Sequence, residues 1–463
     1  MYSGRGLTSS YKNQKTLKKN FKRILKLTFE EKEVEEVYNI IDELSRKKEI
    51  EYAGPNYQLM CDSSAINTTT NYNSRTTTTV DENWGIDRIN VLEAKKMIES
   101  ITKKEVYVGV LEKGIDGSHP DLNISSNLSI SFVEEDVYDE QISETNPLVD
   151  ETADSHGTMV AGIIAAKENE TEGTQGVCDD AVLISYKYAT KEQYSNLSQT
   201  RGIVDGEDIV SAFNQASANN IKVMNCSFKF EVYDYSMEVA MSNYSGLIVC
   251  GSGNSFSNID ENPVYPASFE LDNVLTVGAI NSSNNIWYEI DNSTDIPVTI
   301  GSNFGKISVD VFAPGVDIKS TSKNNGYSIK SGTSYATPFV SGLAAMLLSI
   351  EEKTYSKHLS ATELKGIIMN SVDVTSELVN YCVTGGVVNA EKTVELALSY
   401  VPSFGYSQYD SVYHIVEPTY GENYFEEHSY LPFLDMMGTV TPYALPGLPK
   451  FKCEKCGALK VGL

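Results

Sequence analysis

Short apolar strands that alternate with helices are the feature that most limits how this chain can fold. Five stretches are nearly continuous in apolar residues, as in strands buried on both faces: Val106–Glu112, Val182–Ala189, Ile221–Ser227, Leu247–Ser252 and Val274–Ala279. Helical patterns lie between and after them: His156–Lys167, Asp208–Asn219, Ser236–Asn243, Ser334–Ser349, Thr362–Ser371 and Asn389–Leu398. The alternation predicts an α/β domain with a parallel, doubly wound sheet. Such sheets place their functional sites at the carboxyl ends of the strands.

Composition divides the chain into five predicted parts. They are a basic tail (1–21), a small α+β unit (22–60), a polar linker rich in Asn and Thr (61–82), the alternating domain (83–400) and a tail rich in Tyr and Pro (401–463). The small unit is predicted from a strand at Ile24–Phe29, a helix at Glu33–Leu44 and a strand at Ile50–Tyr52. The last part has little periodicity, so we expect low order there.

The charge of the chain is strongly negative and unevenly distributed. The net charge is −26, which argues against nucleic acid as a partner because phosphates repel an acidic surface. Residues 1–26 nevertheless carry eight Lys or Arg and no Asp or Glu. This basic start is either a solvated tail or part of a module that docks on the acidic body.

The sequence also limits the membrane, disulfide and metal classes. No apolar segment follows the basic start, so we expect no standard secretory signal. We expect no transmembrane segment either, since the best candidate, 339–350, is interrupted by Ser341 and Gly342. Seven scattered cysteines favour buried thiols at Cys178, Cys226 and Cys250 over a disulfide framework. The single Cys453/Cys456 pair is too few ligands for a structural zinc site.

Three distant segments each carry one reactive side chain. Ser334 lies in Gly332–Pro338, where a loop enters an apolar helix, and His156 lies at a similar junction in Asp154–Gly162. Glu112 ends the buried strand of Val108–Asp116. Taken alone, each segment is more typical of an ordinary helix start or turn than of a catalytic site. Together they supply the nucleophile, base and acid of acyl transfer by a serine.

In this order the motifs resemble those of the subtilisin-like serine proteases, the subtilases. The resemblance rests on G-T-S-Y-A-T-P and H-G-T-M-V-A-G around Ser334 and His156, and on Trp84–Ile89, Gly114–Leu122 and Ala313–Gly315. It implies a subtilisin-like fold and a serine endopeptidase that acts on protein or peptide substrates. Ser334 would be the nucleophile and His156 the base, and Asn254 would supply the side-chain donor of the oxyanion hole.

The resemblance extends to the N-terminal unit. Residues 50–57 are similar to the end of the family's inhibitory propeptide. This implies a zymogen whose own propeptide is an intramolecular inhibitor, and we expect self-processing between Tyr57 and Glu82. Family members are often secreted and often bind calcium. The oxygen-rich loop 168–172 is more typical of a solvated loop, so we assign no cofactor and no metal.

Two departures from the family pattern bear on activity. Glu112 stands where the family has aspartate, which adds roughly 1.5 Å of reach; a misplacement of about 1 Å can cost a hundredfold in rate. Ser-His-Glu triads do work on another fold, so Glu112 indicates either a re-spaced triad or a decayed one. Lys229 stands where the family usually has glycine, which leaves room for substrate side chains, so we expect Lys229 to crowd the pocket or to favour an acidic residue near it. The resemblance assigns substrate binding to two segments, Ser227, Phe228 and Lys229, and Gly251, Ser252 and Gly253. The alternative interpretation is a pseudoprotease that binds peptides or a partner protease without cleaving them.

Overall fold

The computed structural model describes a main body and several short outlying stretches. The body comprises 83–133, 145–152, 154–168, 174–189, 202–291, 298–354 and 359–399. The outlying stretches are 27, 34–48, 50, 52–55 and 58–61 near the N-terminus, and 405–406, 413–414, 430–432, 450–453 and 459–461 near the C-terminus.

The elements of these residues are numbered in chain order. The strands are β1 (Gln58–Cys61), β2 (Val106–Glu112), β3 (Ile130–Ser131), β4 (Ala181–Lys187), β5 (Gly202–Asp205), β6 (Val223–Cys226), β7 (Leu247–Gly251), β8 (Val274–Ile280), β9 (Tyr288–Asp291), β10 (Val298–Gly301), β11 (Val311–Pro314), β12 (Ile318–Ser322), β13 (Gly326–Lys330), β14 (Asp373–Val374), β15 (Gly386–Val387), β16 (Gly405–Tyr406), β17 (Tyr413–His414), β18 (Tyr430–Pro432), β19 (Lys450–Cys453) and β20 (Leu459–Val461). The helices are α1 (Val34–Ser45), α2 (Trp84–Arg88), α3 (Val91–Met97), α4 (His156–Ala165), α5 (Gly206–Ala218), α6 (Tyr235–Asn243), α7 (Thr333–Thr354), α8 (Ala361–Asn370) and α9 (Ala390–Ser399).

A nine-stranded sheet forms the centre of the described body. Its strand order is β14-β15-β11-β8-β7-β6-β2-β4-β3, and every neighbouring pair is parallel except β14 with β15. The predicted parallel α/β sheet is therefore confirmed. Because β7, β6 and β2 are adjacent and parallel, the residues that follow their carboxyl ends meet at one edge.

Helix α7 runs through the core and packs against β6, β7, β8 and β11. Its stretch Thr333–Ile350 is long and apolar enough to cross a membrane by length and composition, but all of it is buried inside the protein. The prediction that 339–350 is interrupted at Ser341 and Gly342 was wrong, because both residues continue the helix. Ser341 donates a hydrogen bond to Asn225 Oδ1 at 2.9 Å, and Gly342 packs closely on Val177.

The cysteine prediction is confirmed, since Cys178, Cys226 and Cys250 are free and buried. The helix predicted at 33–44 is α1, one residue further along. All residues of the strand predicted at 24–29 except Leu27 lie outside the described residues. The strand predicted at 50–52 is not formed at Ile50 and Tyr52, and Glu51 lies outside the described residues. In the region expected to have low order, β16 to β20 form a five-stranded antiparallel sheet. The boundaries of the five parts stay predictions.

Near the N-terminus, β1 pairs with β5 in an antiparallel two-stranded sheet. The register joins Gln58 to Asp205 and Cys61 to Gly202. A second contact joins the same part of the chain to the body, because the ring of Tyr52 lies 4.5 Å from that of Tyr235 in α6. The segment before the linker is thus held along β5, which leads directly into α5.

Candidate active site

Glu112 and His156 form a buried pair. Glu112 is the last residue of β2, His156 is the first of α4, and each is 1% exposed. The Nδ1 atom of His156 lies 3.0 Å from Glu112 Oε2. The longer acid therefore reaches the imidazole, and the pair has the geometry in which a carboxylate fixes the tautomer of a histidine.

The second carboxylate oxygen of Glu112, Oε1, is buried and has no hydrogen-bond partner among the described residues. The other ring nitrogen of His156, Nε2, is in the same state. Nδ1 of His156 and Oε2 of Glu112 are therefore paired with each other, whereas Nε2 and Oε1 have no partner among the described residues.

A loop outside the helix holds the start of α4. Ser155 precedes the helix in a left-handed conformation (φ 60°) and its side chain makes no capping bond. Thr152 Oγ1 instead accepts a hydrogen bond from the His156 N–H at 2.8 Å, and Asp150 Oδ2 accepts one from the Thr158 N–H at 3.0 Å. Asp150 Oδ1 also accepts from the Thr152 N–H, so one buried carboxylate fixes both the loop and the helix start.

The charges around His156 favour its protonated form. Burial acts to lower the pKa of His156, but the charge and hydrogen bond of Glu112, with Asp154, raise it, and Lys113 opposes them. The net direction is a pKa above the ordinary value of 6.5. A raised pKa means that His156 becomes a neutral base only at a correspondingly higher pH.

Ser334 is the second residue of α7 and is 7% exposed. Its hydroxyl donates to the Ser227 carbonyl oxygen at 3.2 Å, and the Ser227 hydroxyl donates to the Ser334 carbonyl oxygen at 3.0 Å. The expected bond between Ser334 and His156 is not formed, because the serine hydroxyl is directed to Ser227 and His156 Nε2 is without a partner. Such bonds are often long or absent without substrate and form only in the complex.

Asn254 is fixed beside the start of α7. Its Oδ1 accepts hydrogen bonds from the N–H and hydroxyl of Thr333, at 2.9 and 2.8 Å. Its Nδ2 would lie 3.6 Å from a Cβ placed on Gly332. With Oδ1 anchored, the amide nitrogen of Asn254 lies next to the segment that carries Ser334.

Lys229 is buried against Gly253. The lysine is 4% exposed, and its Cδ would lie 2.9 Å from a Cβ on Gly253. Its Nζ lies 3.5 Å from Glu231 Oε1, whose side chain is 82% exposed. The stem of Lys229 therefore fills the space beside the segment that ends at Asn254, as its size predicted. An acidic side chain of the chain itself is already near its ammonium.

The other predicted substrate-binding residues are largely buried, with Ser227, Phe228, Gly251 and Ser252 inside the body. Phe228 packs on Tyr188 with ring centroids 4.9 Å apart. The Gly253 N–H donates to Thr333 Oγ1 at 3.1 Å. These residues can offer a peptide their backbone more readily than their side chains.

Metal ligation has no support in the described part of the chain. No group of three or more His, Cys, Asp or Glu side chains there could hold an ion. Most of the oxygen-rich loop considered above, residues 169–172, lies outside the described residues.

Two residues of the site were missed by sequence reasoning. Asp150 and Thr152 lie six and four residues before the first residue of α4, outside the N-cap position, so no capping pattern marks them in the sequence. Tyr335 belongs to the serine motif, and the sequence alone assigns it no role. It is fully buried, and its ring centroid lies 5.6 Å from that of His156.

Comparisons with known proteins identify the family. The model of the subtilase family matches residues 103–396. Subtilisin NAT of Bacillus subtilis subsp. natto is 35% identical over 257 residues, 54% of this chain and 57% of the relative. Subtilisin of Bacillus pumilus is 34% identical over 255 residues, 54% of this chain and 79% of the relative.

A third relative is more distant and much longer. Subtilisin-like protease 2 of Plasmodium falciparum (isolate 3D7) is 29% identical over 280 residues, which is 58% of this chain but 19% of the relative. The chain thus spans about a fifth of that relative and 57% of subtilisin NAT. Because the family model covers more than half of the chain and spans Glu112, His156, Asn254 and Ser334, the chain belongs to the subtilase family.

Proposed function

We propose that the chain is a serine endopeptidase that hydrolyses peptide bonds through an acyl-enzyme on Ser334. The observation that carries this proposal is the buried pair of His156 and Glu112, 3.0 Å apart, beside a serine at the start of a core helix. A structural role alone does not require a histidine with one nitrogen fixed by a buried acid and the other left without a partner.

The reaction needs a small movement of the serine hydroxyl. Ser334 Oγ leaves the Ser227 carbonyl, turns to His156 Nε2 and attacks the scissile carbonyl carbon as the imidazole takes its proton. The oxyanion that forms is stabilised by the Asn254 amide and by the N–H groups at the start of α7. His156 then gives the proton to the leaving amine, and water repeats the sequence to release the acid.

Glu112 serves the histidine in this scheme. Its charge stabilises the imidazolium that forms when Ser334 is deprotonated, and its bond to Nδ1 leaves Nε2 free to accept the proton. The 3.0 Å distance favours a triad re-spaced for the longer acid over a decayed one.

We also propose that the chain is made as a zymogen that processes itself. The pairing of β1 with β5 and the contact of Tyr52 with Tyr235 support an N-terminal unit that occupies a strand edge of the body. An extended peptide that adds to a strand edge excludes a second peptide from the same edge. The cleavage would lie after β1, within the range 62–82.

A second function, peptide binding without cleavage, is favoured by Lys229 and by the hydroxyl of Ser334. The buried lysine stem narrows the space beside Gly253, and the serine hydroxyl is bonded to a carbonyl rather than to the base. A pseudoprotease would keep both features in the presence of substrate.

Labelling with a fluorophosphonate separates the two functions. The reagent modifies a serine only when a base and an oxyanion hole act on it, so an enzyme should become labelled at Ser334, and Ser334→Ala should not. Mass spectrometry of the wild-type chain and of Ser334→Ala tests processing in the same preparations. Labelling at Ser334 with cleavage only in the wild type would establish both proposals. An unlabelled, uncut wild-type chain that still binds peptides would leave the binding function.

A further inference from the structure

The hydroxyl of Tyr335 has no hydrogen-bond partner in the described part of the chain, although the residue is fully buried. Tyr335 follows Ser334 directly on α7, and its ring is tilted by 52° against the imidazole of His156. Buried hydroxyls are nearly always paired, directly or through an ordered water. An unpaired one beside a catalytic histidine therefore calls for a functional explanation.

A buried hydrogen-bond acceptor without a partner belongs to Glu112, the residue that is bonded to His156. Glu112 Oε1 is buried and unpartnered, and it belongs to the carboxylate whose other oxygen holds His156. Carboxylates accept several hydrogen bonds, and burial makes an unsatisfied one costly. The hydroxyl of Tyr335 can donate a hydrogen bond, and Glu112 Oε1 of an ionised carboxylate can only accept one.

The electrostatic surroundings connect the two groups. Burial raises the pKa of the Tyr335 hydroxyl, and the negative charges of Asp154, Glu112 and Asp150 raise it further. The hydroxyl is therefore a protonated donor held in the field of three carboxylates. Asp154 is half-exposed and can be served by solvent, and Asp150 accepts from Thr152 and Thr158. Among these three carboxylates, Glu112 Oε1 is the oxygen that has neither solvent nor a described protein group as a hydrogen-bond donor.

We propose that Tyr335 is a positioning residue whose hydroxyl donates to Glu112 Oε1 through one buried water, and so fixes the acid that orients His156. The proposal deepens the peptidase function above and rests on it. Tyr335 does not touch the reacting atoms in this scheme. It acts through Glu112, whose carboxylate it holds in the orientation that contacts His156.

The sign of the effect follows from the charge that the hydrogen bond offsets. A hydroxyl that donates to the carboxylate partly offsets its negative charge, so removing the hydroxyl strengthens the attraction between Glu112 and the protonated imidazole of His156. Tyr335→Phe keeps the ring and removes the hydroxyl. It should raise the apparent pKa of His156 by about one pH unit, the size expected for one hydrogen bond to a charged group.

The test is an NMR titration of the His156 Nδ1 proton in the full-length chain carrying Ser334→Ala, with and without Tyr335→Phe. Tyr244→Phe is the matched control, since it removes another buried tyrosine hydroxyl, one that donates to the Ile221 carbonyl. The pKa of His156 should rise with Tyr335→Phe and stay unchanged with Tyr244→Phe. Because this titration needs no turnover, a failure of the peptidase proposal and a failure of this one give different results.

A second pair of variants identifies the acceptor. With Glu112→Gln present, Tyr335→Phe should no longer shift the titration, whereas with Asp154→Asn the shift should persist. A shift that disappears with Asp154→Asn, or no shift in any background, would overturn the proposal. In active protein, the acid limb of kcat/KM should move to higher pH with KM unchanged; loss of stability alone, with the limb unmoved, would also count against it.

Discussion

Replacing Glu112 by Gln tests the proposed triad most directly. Gln keeps the shape of the side chain and removes the charge that faces the imidazolium at 3.0 Å. Two unit charges about 4 Å apart interact by about 4 kcal/mol at an effective dielectric constant of 20, and each 1.36 kcal/mol is a factor of ten in rate. We therefore expect kcat/KM to fall about a thousandfold, measured with a chromogenic peptide amide on propeptide-free protein.

The pH dependence gives the same variant a second readout. His156 must be neutral to act as a base, and its pKa lies above 6.5, so kcat/KM should rise with pH through a midpoint above that value. Glu112→Gln removes the main group that raises this pKa and leaves burial, which lowers it. The acid limb should therefore shift to lower pH while the maximal rate falls.

Glu112→Asp is the matched variant, since it keeps the charge and loses one methylene. Shortening the side chain by one C–C bond would move the carboxylate to about 4.5 Å from Nδ1 on a fixed backbone. A loss of about a hundredfold is expected from this misplacement. A rate for Glu112→Gln within tenfold of the wild type, or a gain with Glu112→Asp, would refute the re-spaced triad.

Three further outcomes are expected. Lys229→Gly should raise turnover of peptides with bulky apolar residues in a peptide-library profile, because the lysine stem leaves the face of Gly253; an unchanged profile would contradict this. Asn254→Ala should lower kcat about 10²–10³-fold with little change in KM, a magnitude known from subtilisin itself rather than derived from this structure, and a pure KM effect would exclude the oxyanion role. Asp150→Ala should lower the free energy of unfolding by about 1–2 kcal/mol, as for a lost helix cap, and should also lower kcat. Asp260→Ala, which also removes a carboxylate that accepts backbone N–H groups, should not affect kcat, and equal losses in both variants would rule out a specific role for Asp150.

Five of the nine strands of the central sheet, β2, β4, β6, β7 and β8, could be predicted from the sequence because they are largely buried on both faces, whereas the buried four-residue strand β11 was missed. Strand β2 was predicted with both of its ends, and β7 and β8 to within one residue. The ribbons β9–β10 and β12–β13 were missed. The described side chains of β9, β10 and β13 are largely half-buried or exposed, and two of the three buried residues of β12 are Ser320 and Thr321, so no apolar period marks these ribbons.

The meeting of the site residues could be predicted for the same reason, since parallel neighbours end at one edge. The hydrogen bonds within the site could not. Ser334 bonds to Ser227, which lies 107 residues away in the chain, and Thr152 bonds to the His156 N–H from outside the N-cap position, so no local sequence pattern marks either bond. Lys229 illustrates what the sequence could and could not predict. The size of its side chain predicted a crowded groove, but the proximity of Glu231 to its ammonium depends on the path of the backbone.

The pairing of β1 with β5 has a consequence for how the activity can be observed. Because both strands belong to one chain, β1 competes for the edge of β5 at an effective concentration on the order of millimolar, whatever the protein concentration. Dilution therefore cannot release the edge, and an added peptide must exceed that local concentration to displace β1. Within one chain, occupancy of β5 behaves as a first-order property, which changes lastingly only when the backbone between the two strands is cut.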